Sequence, residues 1–315
     1  MIEKYYSGVI EQIYNRIGKE TRNIVMANYS NDFSIENLEV IRRYQSNEDN
    51  VFFAYSEFSY NTLVGAYEPF LDIICNMHRR FIGGSFDDFQ KECGVYYLHR
   101  QVLNSYYETG ECFREETVLL NEVAYEQRRM TMAIADMLKR LSEVRPLMIV
   151  INRFQMASKS SIETIKYLID NPCANIGIVL GVNAIVKGAD STVEVWDRIV
   201  ESLEDRSAIY YIGSAGPLKN NIKTTNDDEL YITMNFEQSI QEASNIMEFL
   251  DYEQARRGCR IIEHKIKFEN AWIDEKSLRR FYLVYARTSV LLGEMSKAIE
   301  LMNEYKALIP ENDSE

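Results

Sequence analysis

The chain has 315 residues, of which 46% are hydrophobic and 26% are charged, a composition that favours one or two globular domains. Its net charge of −13, without any run rich in lysine and arginine, argues against direct binding to nucleic acid, which requires clustered positive charge. No stretch approaches the ~20 apolar residues of a membrane span, and residues 1–20 contain no signal-peptide core, so neither membrane insertion nor secretion is expected.

Short apolar segments alternate with amphipathic segments through the first two thirds of the chain. Apolar runs between polar turns predict buried strands, and amphipathic spacing predicts helices. The predicted strands are 23–27, 51–56, 147–151, 176–182 and 208–212. The predicted helices are 3–20, 38–45, 67–82, 86–106, 116–142, 159–169 and 192–204. This alternation predicts an α/β fold in which a parallel sheet of about five strands is flanked by helices.

The remainder of the chain shows helical spacing only. Residues 213–229 are polar, with glycine and proline near the start, and predict a linker. Within 236–310, small residues recur at a spacing of twelve: Ala243 and Ala255, Ala286 and Ala298, then Pro310. This spacing resembles the tetratricopeptide repeat, in which small residues let paired antiparallel helices approach closely. We therefore expect an α/β domain at 1–215 and an all-α helical-hairpin domain at 230–315.

The stretch 145–168, RPLMIVINRFQMASKSSIETIKYL, has the form of an ATPase active-site strand without its acids. Residues 147–151 predict a buried strand, and Asn152 and Arg153 follow it. In P-loop ATPases, acidic residues at this place hold Mg²⁺ and help to position the attacking water. An amide is a poor ligand for Mg²⁺ and a guanidinium repels it, so hydrolysis is not expected here.

This stretch resembles the Walker B region of the signal-transduction ATPases with numerous domains, a family of AAA-like P-loop ATPases. In that family an apolar strand is followed by D-D-L-H-W-A-D and then by a helix of the type S-L-E-L-L-R-Y-L. Asn152 and Arg153 stand at the two acids, and residues 161–168 match the helix almost position by position. The resemblance implies a P-loop ATPase fold in which both Walker B acids are replaced.

The same resemblance implies a phosphate-binding loop, G-x-x-x-x-G-K-[ST], after the first strand, where residues 28–35 read NYSNDFSI. In that motif the glycines let backbone N–H groups surround the phosphates, while the lysine and the hydroxyl serve the phosphate oxygens and Mg²⁺. The replaced Walker A positions are Asn28 and Phe33 for the glycines, Asn31 within the loop, Ser34 for the lysine and Ile35 for the hydroxyl residue. We therefore expect no nucleotide cofactor and no metal.

Asn183 is a candidate phosphate sensor, and Cys75 with His78 is a candidate pair of metal ligands. Asn183 follows the fourth predicted strand, where such ATPases often carry a polar sensor of the γ-phosphate, although asparagine is also a common turn residue. Cys75 and His78 have the spacing of metal ligands, but no second pair follows nearby, so a packed helix face is expected.

Together these features predict a catalytically inactive regulatory or scaffold protein that acts through contacts with other proteins. The five scattered cysteines are typical of reduced thiols and favour a cytoplasmic location. The expected partners are proteins, among them an active ATPase-family subunit or regulator, and the helical hairpins are the expected docking surface. Neither nucleic acid nor a membrane is expected to bind, and the sequence leaves the oligomeric state open.

Two alternatives remain at this point. The chain is also consistent with the switch module of a bacterial transcription regulator whose DNA-binding domain is lost or lies on another chain. An atypical nucleotide-binding ATPase that uses residues 28–34 as an unusual phosphate loop is the second alternative.

Overall fold

An all-parallel sheet forms the centre of the N-terminal part of the chain in the computed structural model. Its long strands are β1 (Ile24–Tyr29), β2 (Phe52–Glu57), β3 (Leu147–Asn152) and β4 (Ile176–Asn183). They lie in the order β2-β3-β4-β1, and each neighbouring pair is parallel. A three-residue segment, β6 (Ile209–Tyr211), pairs in parallel with the outer side of β1. The α/β class and the parallel sheet that the sequence predicted are thereby confirmed.

The structure describes most of the chain, with gaps. The described residues are 2–29, 38–46, 50–58, 63–115, 118–183, 186–187, 209–211, 223–224, 234–269 and 271–309. The short segments β5 (Val186–Lys187) and β7 (Lys223–Thr224) pair with each other in parallel. The predicted helix at 192–204 and most of the predicted linker lie outside the described residues.

Eleven helices flank the sheet or follow it within the described residues. The first seven are α1 (Ile2–Arg16), α2 (Glu39–Ser46), α3 (Phe70–Met77), α4 (Phe86–Glu92), α5 (Tyr97–Thr109), α6 (Val123–Val144) and α7 (Lys159–Asp170). The last four are α8 (Phe236–Glu248), α9 (Tyr252–Phe268), α10 (Glu275–Leu291) and α11 (Met295–Ala307). None of these described helices is long and apolar enough to cross a membrane.

Several helix boundaries differ from the predicted ones for local reasons. The predicted helix 86–106 is two helices, α4 and α5, because Gly94 turns the chain with a left-handed φ of 72° after α4. The predicted helix 67–82 begins only at Phe70, and its last turn, His78–Ile82, is π-helical. The predicted helix 116–142 begins at Val123.

Helix α1 lies directly against β4, and two glycines of the strand make this approach close. A Cβ at Gly177 would stand 2.9 Å from side-chain atoms of Ile13 and Ile17. A Cβ at Gly181 would meet the hydroxyl of Tyr6 at an even shorter distance. Because residues two and four apart in a strand share one face, Gly177, Val179 and Gly181 all lie on the face of β4 against which the apolar side of α1 packs.

The described residues form two compact units that are not contiguous in sequence. The first contains 1–58, 67–96 and 129–226, and the second contains 59–66, 97–128 and 227–315. The sequence predicted contiguous domains at 1–215 and 230–315, and so placed 59–66 and 97–128 with the sheet. In the structure the described residues of these two segments are instead grouped with the C-terminal helices, through hydrogen bonds such as Cys112 N–H to Asn245 Oδ1 at 2.9 Å.

The four C-terminal helices form successive packed pairs. Within the second unit α8 packs on α9, α10 packs on α11, and the small residues predicted to mark these pairs are all buried: Ala243, Ala255, Ala286 and Ala298. The side chains of Asn235, Asp251 and Asp274 cap α8, α9 and α10 by accepting a backbone N–H three residues on. The helical-hairpin character of 236–309 thus rests on both packing and capping.

The close approach of α1 to β4 yields a matched pair of substitutions. Gly181→Ala is expected to lower the free energy of unfolding by about 1–3 kcal/mol, because the new methyl group overlaps the buried Tyr6 hydroxyl. Gly8→Ala, on the exposed side of α1 with no atom within 4 Å of its Cβ position, is expected to raise stability by about 0.5–1 kcal/mol. Urea unfolding of both variants measures the contrast.

A third variant identifies the clashing atom. Adding Tyr6→Phe to Gly181→Ala removes the hydroxyl and is expected to recover part of the loss. Equal stability of Gly181→Ala and Gly8→Ala would show that α1 does not press on β4 at this point.

Candidate functional site

The carboxyl ends of β1, β4 and β3 lie side by side, because the three strands are parallel neighbours. Asn28 of β1 lies opposite Val182 of β4, and Tyr29 lies opposite Asn183. The other side of β4 pairs with β3, which ends at Asn152. The structure therefore brings the backbones of three predicted site residues, Asn28, Asn152 and Asn183, to one edge of the sheet.

At this edge, the connections that follow two neighbouring strands, β1 and β4, lead towards opposite sides of the sheet. The connection that follows β1 leads past β4 and β3 to β2, whereas the chain that follows β4 reaches β6 on the far side of β1. The carboxyl ends of neighbouring strands whose connections run in opposite directions flank a crevice, the usual ligand site of open α/β sheets. The candidate site is therefore the carboxyl edge of β1 and β4, where this strand order favours a ligand site.

The structure does not describe the remaining predicted Walker A positions. Asn31, Phe33, Ser34 and Ile35 lie outside the described residues. The predicted replacement of the phosphate-binding loop thus stays a prediction from the sequence.

Asn152 is a packing residue at this edge. Its side chain is fully buried, and its Oδ1 lies 2.9 Å from the Cβ position of Gly181 on the neighbouring strand. The ring of Tyr6, also fully buried, closes the same space from α1. The carboxamide of Asn152, at the predicted first Walker B position, is therefore enclosed between two strands and a helix.

Arg153, at the predicted second Walker B position, is held in an ion pair. Its Nη1 lies 3.1 Å from Oε1 of Glu57, the last residue of β2, and their side chains are only 20% and 17% exposed. Nη1 also donates to the carbonyl oxygen of Phe58 at 3.4 Å. The second carboxylate oxygen of Glu57 accepts a hydrogen bond of 2.5 Å from the hydroxyl of Tyr55. Glu57 is opposite Asn152 in the β2–β3 register, so the pair bridges the ends of both strands.

No protein-family model matches this chain, and no curated protein is significantly similar to it.

The backbone of Arg153 is strained. Its φ of 55° and ψ of 38° lie in the left-handed region, which costs a residue with a Cβ on the order of 1 kcal/mol or more. The residue stands at the sharp turn between β3 and the short 3₁₀ helix Phe154–Met156. The ion pair with Glu57 holds the side chain in place at this turn.

A serine cluster continues the site from Arg153 towards α7. Ser158 caps α7 by accepting the N–H of Ser161, and their hydroxyl oxygens are 2.8 Å apart. Ser161 donates to the carbonyl oxygen of Glu68 at 2.6 Å, and Ser160 accepts the N–H of Tyr67 at 2.9 Å. These hydrogen bonds fasten the start of α7 to the turn that precedes α3.

The described side chains provide no metal centre, and the thiols of buried Cys75 and half-buried Cys93 are poor nucleophiles. Within the described ranges no group of three or more His, Cys, Asp or Glu residues is placed to hold a metal ion. Burial raises the pKa of the Cys75 thiol to about 12 and that of the Cys93 thiol to about 11, so both are protonated at neutral pH. His78 is buried beside the ring of Phe86, and burial lowers its pKa. Cys75 and His78 lie on a packed helix face, as expected.

Two residues that define the site were missed by sequence reasoning. Glu57 stands at the end of a strand in an acidic chain, and only the parallel register with β3 places it beside Arg153. Tyr6 belongs to the apolar side of α1, which the helical spacing showed, but that spacing does not identify the strand it covers. A cation directly after the buried strand 147–151 was a signal in the sequence that a carboxylate lies nearby.

Variants at position 153 separate the ion pair from the strained backbone. Arg153→Ala is expected to cost about 2–3 kcal/mol of unfolding free energy, because it leaves the mostly buried Glu57 without its cation while the strain remains. Arg153→Gly is expected to cost about 1 kcal/mol less, because glycine adopts a φ of 55° freely. Thermal or urea unfolding of both variants measures the difference.

A double-variant cycle checks the coupling. Glu57→Gln combined with Arg153→Ala is expected to cost less than the sum of the single changes by about 1–2 kcal/mol. Additive costs, together with equal stability of the alanine and glycine variants, would show that neither the pair nor the strain contributes.

Proposed function

We propose that this chain is a catalytically inactive, P-loop ATPase-like protein with a regulatory or scaffolding role exerted through contacts with other proteins. The observation that carries the proposal is the Arg153–Glu57 ion pair at the end of β3, where the resemblance places a catalytic acid. The strand order supports the ATPase-like part, because it brings the carboxyl ends of β1 and β4 together at the usual ligand site of open α/β sheets.

Electrostatics argue against a metal-bound triphosphate at this edge. Phosphoryl transfer depends mainly on positioning and on neutralising charge, and Mg²⁺ supplies much of that neutralisation. A cation at position 153 repels Mg²⁺, and the neutral amide at position 152 offers no charged oxygen. Glu57 is the one carboxylate that the described edge residues contribute, and its two oxygens are engaged by Arg153 and Tyr55. The site therefore favours its internal ion pair over a metal.

Packing supports the same conclusion. Asn152 is enclosed by Tyr6 and Gly181, so a metal at this point would require α1 to move away from β4. A working ATPase keeps this position open to metal and water. The charged and packed residues of this edge stabilise the fold instead of holding a nucleotide. We therefore propose that the chain acts through contacts with other proteins.

The decisive experiment measures nucleotide binding and turnover by the full chain. With Mg-ATP or Mg-GTP at about 1 mM, the melting temperature is expected to rise by less than about 1 °C. A nucleotide that bound at 100 times its Kd would raise the free energy of unfolding by about 2.7 kcal/mol and would shift the melting temperature clearly. Phosphate release is expected to stay at the background level, with an active P-loop ATPase as the positive control.

Binding or turnover of a nucleotide would contradict the proposal. A saturable rise of several degrees, or phosphate release that Asn152→Ala abolishes, would overturn the proposal and favour an atypical nucleotide-binding ATPase. An equal shift with inorganic triphosphate alone and without Mg²⁺ would indicate anion binding elsewhere and would leave the proposed inactivity supported.

A further inference from the structure

The segment between α5 and the start of α6 exposes large apolar side chains. Phe113, Leu119, Leu120 and Tyr125 are between 58% and 63% exposed. Single exposed apolar residues are common, but four large ones within thirteen residues of sequence are typical of a surface that meets another molecule. All four belong to the second compact unit.

This segment is fixed from beneath by buried polar side chains of the same unit. Asn245 of α8, itself buried, accepts the N–H of Cys112 at 2.9 Å and donates to the carbonyl oxygen of Gly110 at 3.3 Å. Arg114, also buried, donates to the carbonyl oxygen of Glu248 at 3.2 Å. The alternation of buried Cys112, exposed Phe113 and buried Arg114 shows an extended strip with one side on α8 and the other side in solvent.

The start of α6 is fastened in the same way. Gln127 donates to the carbonyl oxygen of Leu250, which follows α8, at 2.9 Å. The exposed apolar residues thus lie between two anchored points, near Asn245 and near Leu250. A surface held in this way loses little conformational entropy when it binds, which favours affinity.

Acids predominate among the exposed residues that neighbour these apolar side chains in the sequence. Glu108, Glu111, Glu115 and Glu122 are exposed, whereas Arg114 is buried and the first exposed cation after Tyr125 is Arg128. Arg280 of α10 lies 3.4 Å from Glu111 and compensates part of the charge on one side. The other acids leave the segment with a net negative rim.

We propose that this apolar–acidic surface, formed by Phe113, Leu119, Leu120, Tyr125 and the four glutamates, binds a basic amphipathic helix of a protein partner. Such a helix presents apolar residues at i, i+3, i+4 and i+7 with Lys or Arg beside them, which complements an apolar strip with an acidic rim. The apolar contacts supply most of the affinity, and the rim accelerates association and makes it salt-dependent. The inference rests on the proposed role in protein contacts and names the chemistry of the partner.

The test uses fluorescence anisotropy with the full chain and a labelled peptide. The probe is a peptide of about 18 residues in which leucine and lysine follow helical spacing, long enough to form a helix on a surface. An isomer of the same composition, with leucines distributed around all faces, separates amphipathic recognition from attraction to an acidic protein. Wild type is expected to bind the amphipathic probe at least ~10-fold more tightly than the isomer, with affinity falling as salt rises.

A matched pair of double variants locates the site. Leu119→Ser/Leu120→Ser is expected to weaken binding by about ten-fold or more. Met295→Ser/Ile299→Ser removes two apolar residues of similar exposure, 57% and 64%, from α11 and is expected to change affinity by less than about two-fold. Equal loss in both variants, or equal binding of the two peptides, would overturn the proposal.

Hydrogen exchange on unmodified protein provides an independent readout. The amphipathic probe is expected to slow exchange in residues 113–125, and protection confined to other segments would also overturn the proposal. Failure of these tests would be distinct from failure of the proposed function, because nucleotide binding and phosphate release report on the carboxyl edge of the sheet.

Discussion

The ion pair between Arg153 and Glu57 is the interaction on which the candidate site depends. It joins the last residues of two parallel strands, and both side chains are mostly buried. A buried cation without a partner would cost several kcal/mol, so Arg153 at this place requires a carboxylate within reach. The same residue also makes the left-handed turn from β3 towards α7. One side chain therefore couples the electrostatics of the edge to the path of the backbone.

Packing and charge act in the same direction at this edge. Tyr6 and Gly181 allow α1 to close over β4, and the amide of Asn152 fills the space that remains. Metal binding would have to displace the helix and also overcome the guanidinium. Either effect alone weakens a metal site, and the two act together at the end of β3. In the second unit, the anchored segment before α6 presents exposed apolar side chains close in sequence to acids.

Local sequence patterns predicted where the long strands lie, but they did not predict which residues the key side chains contact. The apolar run at 147–151 corresponds to β3 (Leu147–Asn152), and the other three long strands start within one residue of their predicted positions. Helix ends were less predictable, since the break at Gly94 depends on a single glycine taking a positive φ. The pairing of Arg153 with Glu57 required the register of β2 against β3, which the sequence does not encode locally. The assignment of 97–128 to the second unit depends on contacts such as Cys112 with Asn245, which are 133 residues apart.

The most direct test of the central claim is a titration of the full chain with Mn²⁺, a paramagnetic substitute for Mg²⁺, in the presence of ATP and followed by electron paramagnetic resonance. We predict no protein-bound Mn²⁺–ATP signal, because the carboxyl edge of β3 carries a guanidinium paired with Glu57. One equivalent of tightly bound Mn²⁺–ATP that is lost on Glu57→Gln would contradict the account, since it would show Glu57 serving a metal instead of Arg153.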